Sequence, residues 1–135
     1  MFWVAAAGPF SNLVMALGWA FAYKLGIGLA PSNPPLAWLV FVGAGGIFVN
    51  VIFMVLNLLP LPPLDGGRIA VSLLPHRLAW QFAKIERFGF LILMVLLFTG
   101  LLGYILWPMI TLSISAIGAL FNIAPADLFR LLRAL

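Results

Sequence analysis

The fold class this sequence predicts is all-α integral membrane: a bundle of about four transmembrane helices with a proline-rich break at an aspartate. Three observations predict it. Hydrophobic residues make up 65% of the 135-residue chain and charged residues only 7%, where a soluble domain is about half apolar and about a quarter charged. The few charges are grouped, which leaves long uncharged runs. Prolines and glycines interrupt those runs where helices must end. This composition excludes a soluble enzyme, a disordered tail and a nucleic-acid-binding module. With no cysteine, disulfides, thiolate nucleophiles and thiolate metal sites are excluded as well. The net charge of +4 reports membrane topology, not an acidic partner.

A bilayer core needs about 20 apolar residues per helix. Residues 1–23 are uncharged and Lys24 follows, which gives a first span over about 5–29. The turn at 31–35, with Pro31, Pro34 and Pro35, precedes a second span over 36–59. Asp65, Arg68, Arg77, Lys84, Glu86 and Arg87 then mark a loop, 60–87. Residues 88–126 are uncharged and too long for one helix, and Pro108 divides them into 88–107 and 109–126. Basic residues in the 60–87 loop and at Arg130 and Arg133 assign both segments to the cytoplasmic side. Four spans place both termini inside and the 30–35 turn outside. Lys24 then snorkels to the outer interface.

The chain reads as a single transmembrane domain, 1–135, without internal repeats. Gly18, Ala22, Gly26 and Ala30 form a stripe of small residues, and Gly43 and Gly46 do similar work in the second span. Such stripes let helix backbones pack closely in lipid. The N-terminal run lacks a basic n-region and is interrupted by Gly8-Pro9, so it does not read as a signal peptide. Residues 125–135 suit an amphipathic tail helix, with Leu128, Leu131, Leu132 and Leu135 toward lipid and Arg130 and Arg133 toward headgroups.

The segment that carries chemistry is 57–68, from Asn57 through Pro60, Pro62, Pro63 and Asp65 to Gly66, Gly67 and Arg68. Three prolines in four positions cannot continue a helix. Irregular backbone at membrane depth survives only where protein or a watery cavity receives it. The carboxylate of Asp65 directly follows that extended piece. Asn50 and Asn57 share one helix face, suited to bonding a neighbouring helix or lining a polar site. Two readings of Asp65 stay open: a cap or turn residue starting a short helix from Gly66 to Leu74, and a functional carboxylate beside a membrane cavity.

The pattern Asn-x-x-Pro-x-x-x-x-Asp-Gly, here Asn57, Pro60, Asp65 and Gly66, resembles the second signature of the site-2 protease family of zinc intramembrane metalloproteases. The fuller stretch to Gly67 and Arg68 is similar to the small bacterial and archaeal branch. Ala7-Gly8-Pro9 with Asn12 resembles the opening of that family's preceding span. Asn50, the Leu74-Pro75 step and the Ile85 to Gly89 entry to the next span are similar too.

The resemblance implies a zinc-dependent intramembrane endopeptidase that hydrolyses membrane-embedded, transmembrane protein substrates. It implies that Asp65 is one ligand of one zinc ion and that Asn50, Asn57 and Pro60 shape the substrate site. Gly8, Pro9, Asn12, Gly66 and Gly67 would be structural parts of the motifs. Two histidines and the general-base glutamate belong, in the family, to a His-Glu-x-x-His helix just upstream of Ala-Gly-Pro. Such histidines, four apart on one helix face, can grip one metal, and three ligands leave a position for water. The strand-like piece 57–63 would hold an unwound substrate by edge hydrogen bonding.

The chain has no His-Glu-x-x-His and one histidine, His76, which matches no family ligand and reads as a surface residue. Met1 lies six residues before Ala7. The expectation is a chain cut just after the metal-binding helix and inactive by itself; a catalytically inactive short homologue, acting as a membrane scaffold or subunit, is the alternative. Presenilin-like and rhomboid-like chemistries lack their paired aspartates or serine–histidine pair here, and transport has little support.

Overall fold

A computed structural model describes residues 1–133. Its described residues form helices and no strand. The elements are α1 (Phe2–Leu29), a 3-10 turn (Pro34–Ala37), α2 (Trp38–Leu58), α3 (Asp65–Leu73), α4 (His76–Ala83), α5 (Glu86–Phe98), α6 (Leu101–Phe121) and α7 (Pro125–Arg133). Among the described residues three stretches are long and apolar enough to cross a membrane: Phe2–Leu29, Pro34–Leu58 and Leu101–Phe121.

The expected division at Pro108 is not where the chain breaks. Pro108 lies inside α6. The interruption falls at Thr99 and Gly100, where the Thr99 N–H bonds back to Val95 and Gly100 takes a φ of 76°. A left-handed residue after a helix costs glycine little and any other residue more. A proline within an apolar span removes one backbone bond, which local adjustment re-satisfies. The consequence is a short α5 of 13 residues, about 20 Å at ~1.5 Å per residue, less than a bilayer core by itself.

The chain divides into two compact units. The first holds residues 1–11 and 53–109, and the second residues 12–52 and those from 110 onward. The second unit is built on small-residue packing between α1 and α2. A Cβ on Gly43 would meet the Tyr23 backbone at 2.8 Å, one on Gly26 would meet the Val40 nitrogen at 2.9 Å, and one on Gly46 would strike the Trp19 ring. The buried face of α1 is Ala16, Ala20, Tyr23 and Gly26. Gly18 is exposed with open space around it, so the seam is turned away from the four-residue stripe at that end.

The C-terminus of α6 closes with a Schellman-type turn in the same unit. Asn122 adopts φ 53°, and the Ile123 N–H donates to the Gly118 carbonyl at 2.8 Å. Asparagine tolerates this left-handed geometry better than other non-glycine residues. The Lys24 Nζ donates to the Asn122 carbonyl at 3.1 Å. Helix α7 then follows. Its Leu128 is 1% exposed, so this residue packs inside the protein, not against lipid as the tail pattern suggested. Leu131 and Leu132 are half-buried, and Leu135 lies outside the described residues.

Candidate active site

The first unit brings Ala7-Gly8-Pro9 together with the 57–68 segment. Helix α2 ends at Leu58 because Pro60, Pro62 and Pro63 supply no N–H to extend it. The chain then folds as successive turns, not as a strand-like edge. The Leu61 N–H bonds to the Leu59 carbonyl at 2.7 Å and the Leu64 N–H to the Leu61 carbonyl at 2.9 Å. Those bonds use the donors that prolines leave, so the segment has few N–H groups with which to pair an incoming strand. The Pro62–Pro63 peptide is cis.

Helix α3 begins at Asp65, with Leu64 as its N-cap and no side-chain cap bond. The acidic residue lies in the first turn, where the helix dipole favours a negative charge. It is half-buried. Among the described residues the Asp65 carboxylate has neither a hydrogen bond nor an ion pair. The capping reading needs a carboxylate oxygen accepting an N–H of this helix, and that bond is missing.

Glycines bring the surrounding chain close. A Cβ on Gly8 would strike Oδ2 of Asp65 and lie 3.2 Å from its Cγ. The Ala-Gly-Pro segment of α1 and the Asp-Gly segment of α3 therefore touch through a residue with no side chain. Next to it, Pro9 is buried within α1, and the Ser11 Oγ donates to the Gly8 carbonyl at 2.8 Å. Gly66 and Gly67 are buried; a Cβ on Gly67 would lie 2.7 Å from the Pro62 Cα. Gly89 of α5 is buried against the proline turn, where a Cβ would strike the Pro62 carbonyl oxygen and lie 2.8 Å from Pro63 Cδ. Sequence reasoning noted Gly89 in a motif but missed this role; glycine at the entry of an otherwise bulky apolar helix was the available signal.

Of the other expected site residues, Asn57 is half-buried and Pro60 exposed, both in the first unit. Among the described residues the Asn57 side chain has no hydrogen-bond partner. Asn12 and Asn50 belong to the second unit. The Asn50 amide donates to the Gly46 carbonyl one turn back on its own helix at 2.8 Å, and Asn50 borders an open cavity of about 520 Å3 with Trp19 and Phe41. His76 is the exposed first residue of α4. A mostly apolar cavity of about 610 Å3 opens on Pro62, Gly67, Arg68, Val71 and Glu86 in the first unit.

Asp65 has the right donor chemistry for a divalent metal, but one carboxylate does not hold a catalytic ion. Among the described residues no three His, Cys, Asp or Glu side chains form a metal-holding group.

The fold is that of a helical protein with three candidate membrane-spanning helices among its described residues. The family described as Peptidase family M50 matches residues 27–100, and the chain belongs to this family, that of the site-2 proteases. It is 36% identical over 125 residues to "Putative zinc metalloprotease YwhC" of Bacillus subtilis, covering 88% of this chain and 55% of that protein. It is 39% identical over 105 residues to "Putative zinc metalloprotease Rip2" of Mycolicibacterium smegmatis, covering 74% of this chain and 37% of that protein. The chain thus spans about half, or less, of the length of these relatives. No solved structure matches it significantly.

Proposed function

We propose that these residues form the aspartate-bearing part of a zinc-dependent intramembrane endopeptidase. One observation carries the reading: the Asp65 carboxylate is half-buried at the head of α3, lacks a partner among the described residues and faces bare backbone at Gly8. A half-buried carboxylate with no partner among the described residues leaves its oxygens open for a cation to satisfy. A zinc ion would do so, with Asp65 as one ligand. The remaining ligands and the general-base glutamate would come from outside these residues, consistent with relatives of which the matched parts cover 55% and 37%.

When bound, zinc lowers the pKa of a coordinated water and polarises a carbonyl. The chain's own residues prepare the site for a substrate. Gly8 leaves the space beside the carboxylate clear of side-chain atoms. Pro60 and its neighbours keep the loop short of N–H donors that would compete for a substrate carbonyl. The Asn57 amide offers a donor and an acceptor to an unwound substrate backbone. The cavity at Gly67 and Arg68 gives room to the chain leaving the site. The basic residues of the 60–87 loop favour the cytoplasmic side for that loop.

The test uses the full-length polypeptide containing these residues, purified in detergent. Zinc content and cleavage of a transmembrane peptide are measured for the unmodified protein and for Asp65→Asn. The expected result is loss of both zinc and cleavage. A variant that retains one zinc per chain and cleaves at the normal rate overturns the assignment.

A further inference from the structure

The α4–α5 junction carries a pattern that the proteolytic site does not use. Trp80 on α4 is 61% exposed, and the Lys84 Nζ stands 3.3 Å from the centre of its ring. The two residues are four apart, one turn along the chain. Arg87 in turn lies over the exposed Phe88 ring, 5.0 Å from its centre. Lys84, Glu86 and Arg87, with Ala83, line an open notch of about 460 Å3. Immediately beyond Arg87 the chain is uncharged through the end of α5.

Each part has a physical meaning at a membrane surface. Tryptophan prefers the headgroup level, where its ring is half in hydrocarbon and its N–H remains wet. Lysine and arginine stems lie along apolar surface and keep their charges at the interface. An aromatic face under the cation fixes the charge in place while leaving its N–H donors available. The uncharged run of α5 sets the depth, because hydrocarbon begins where charges stop. Two cations against one carboxylate leave the notch with one net positive charge. A single monoanionic headgroup neutralises it; a zwitterionic headgroup does not.

We infer that the notch formed by Lys84, Glu86 and Arg87 beside Trp80 is a binding site for the headgroup of an anionic phospholipid. Lys84 and Arg87 hold the phosphate, and the Glu86 carboxylate accepts from headgroup hydroxyls. A phosphatidylglycerol-type headgroup has both features. The site anchors the head of α5, and with it the Gly89 contact on the proline turn.

The experiment places the full chain in bilayer nanodiscs of equal parts phosphatidylglycerol and phosphatidylcholine. Lipids that stay bound on ejection are counted by native mass spectrometry. Phosphatidylglycerol should be enriched about fivefold, the preference of one net charge at an anionic surface. Lys84→Gln with Arg87→Gln should bring the ratio to near one. Lys84→Arg with Arg87→Lys should keep the enrichment, which separates loss of charge from loss of fold. No enrichment in the unmodified chain, or enrichment unchanged by the double glutamine variant, overturns the site. In the first of those cases an acidic protein surface becomes the occupant to seek.

Discussion

Gly8 of α1 and Asp65 of α3 touch, with no side chain on the glycine to separate them; any Cβ there would collide with the carboxylate. The contact joins the two segments on which the family resemblance rests. It also separates stability from chemistry. The obstructing atoms are the tip of a flexible side chain, so an added methyl moves Asp65 before it moves the backbone. Gly8→Ala is therefore expected to leave the fold intact and spoil the carboxylate's position. In the full-length polypeptide, zinc affinity should fall about 10–100-fold, the usual cost of disturbing what orients a ligand. Titration of zinc against a competing chelator checks this, with circular dichroism showing unchanged helix content. An unchanged affinity would mean that Asp65 does not bind the metal from this position.

Gly89 presents the opposite case. Its neighbour is the Pro62 carbonyl, which is backbone in a turn already held by Gly67 and by internal hydrogen bonds. Neither side can retreat cheaply. Gly89→Ala should destabilise the chain by about 1–3 kcal/mol, the range for overpacking. Thermal unfolding in detergent should show a lower Tm. A Tm equal to that of the unmodified chain would mean α5 slides freely past the proline turn.

The small-residue stripe of the first helix divides at Gly18. Gly43→Ala on α2 would drive a methyl into the Tyr23 backbone at 2.8 Å, while Gly18 faces open space. Gly43→Ala should cost about 1–3 kcal/mol. Gly18→Ala should be neutral or stabilise by up to about 1 kcal/mol, since glycine is the poorer helix former. Guanidinium or SDS unfolding of the two variants side by side is the check, and equal effects would dissolve the assigned seam.

What could be read in advance follows the range of each physical cause. Helix ends set by local chemistry were legible: Pro60, Pro62 and Pro63 end α2 where a missing N–H requires it. Pro108 misled because a proline's effect depends on surroundings. In an apolar span it removes one bond and α6 continues, while the less conspicuous Thr99-Gly100 step supplies the left-handed residue that ends α5. The candidate aspartate was legible because a carboxylate after three prolines is rare in so apolar a chain. Its contact with Gly8 was not, because neither segment encodes the approach of the other. The strand-like reading of 57–63 failed for a similar reason. Prolines predict a non-helical backbone, but not that Leu61 and Leu64 would spend their N–H groups on turns.

The Lys24–Asn122 bond gives a last prediction. Lys24 is exposed, and its ammonium caps the carbonyl of the residue that ends α6. A cation at a helix C-terminus is favourable, but solvent screening keeps an exposed one under about 1 kcal/mol. Lys24→Met should therefore lower stability only slightly. Asn122 contributes through its φ of 53°, a conformation costing most residues about 1–2 kcal/mol. Asn122→Gly should be tolerated, and Asn122→Val should destabilise by about that amount. Hydrogen exchange at the Ile123 N–H, which closes the turn on Gly118, locates the effect. The Val variant should expose that amide, while Lys24→Met should speed its exchange only modestly. Faster exchange in Lys24→Met than in Asn122→Val would show that the charge, and not the left-handed backbone, holds the end of α6.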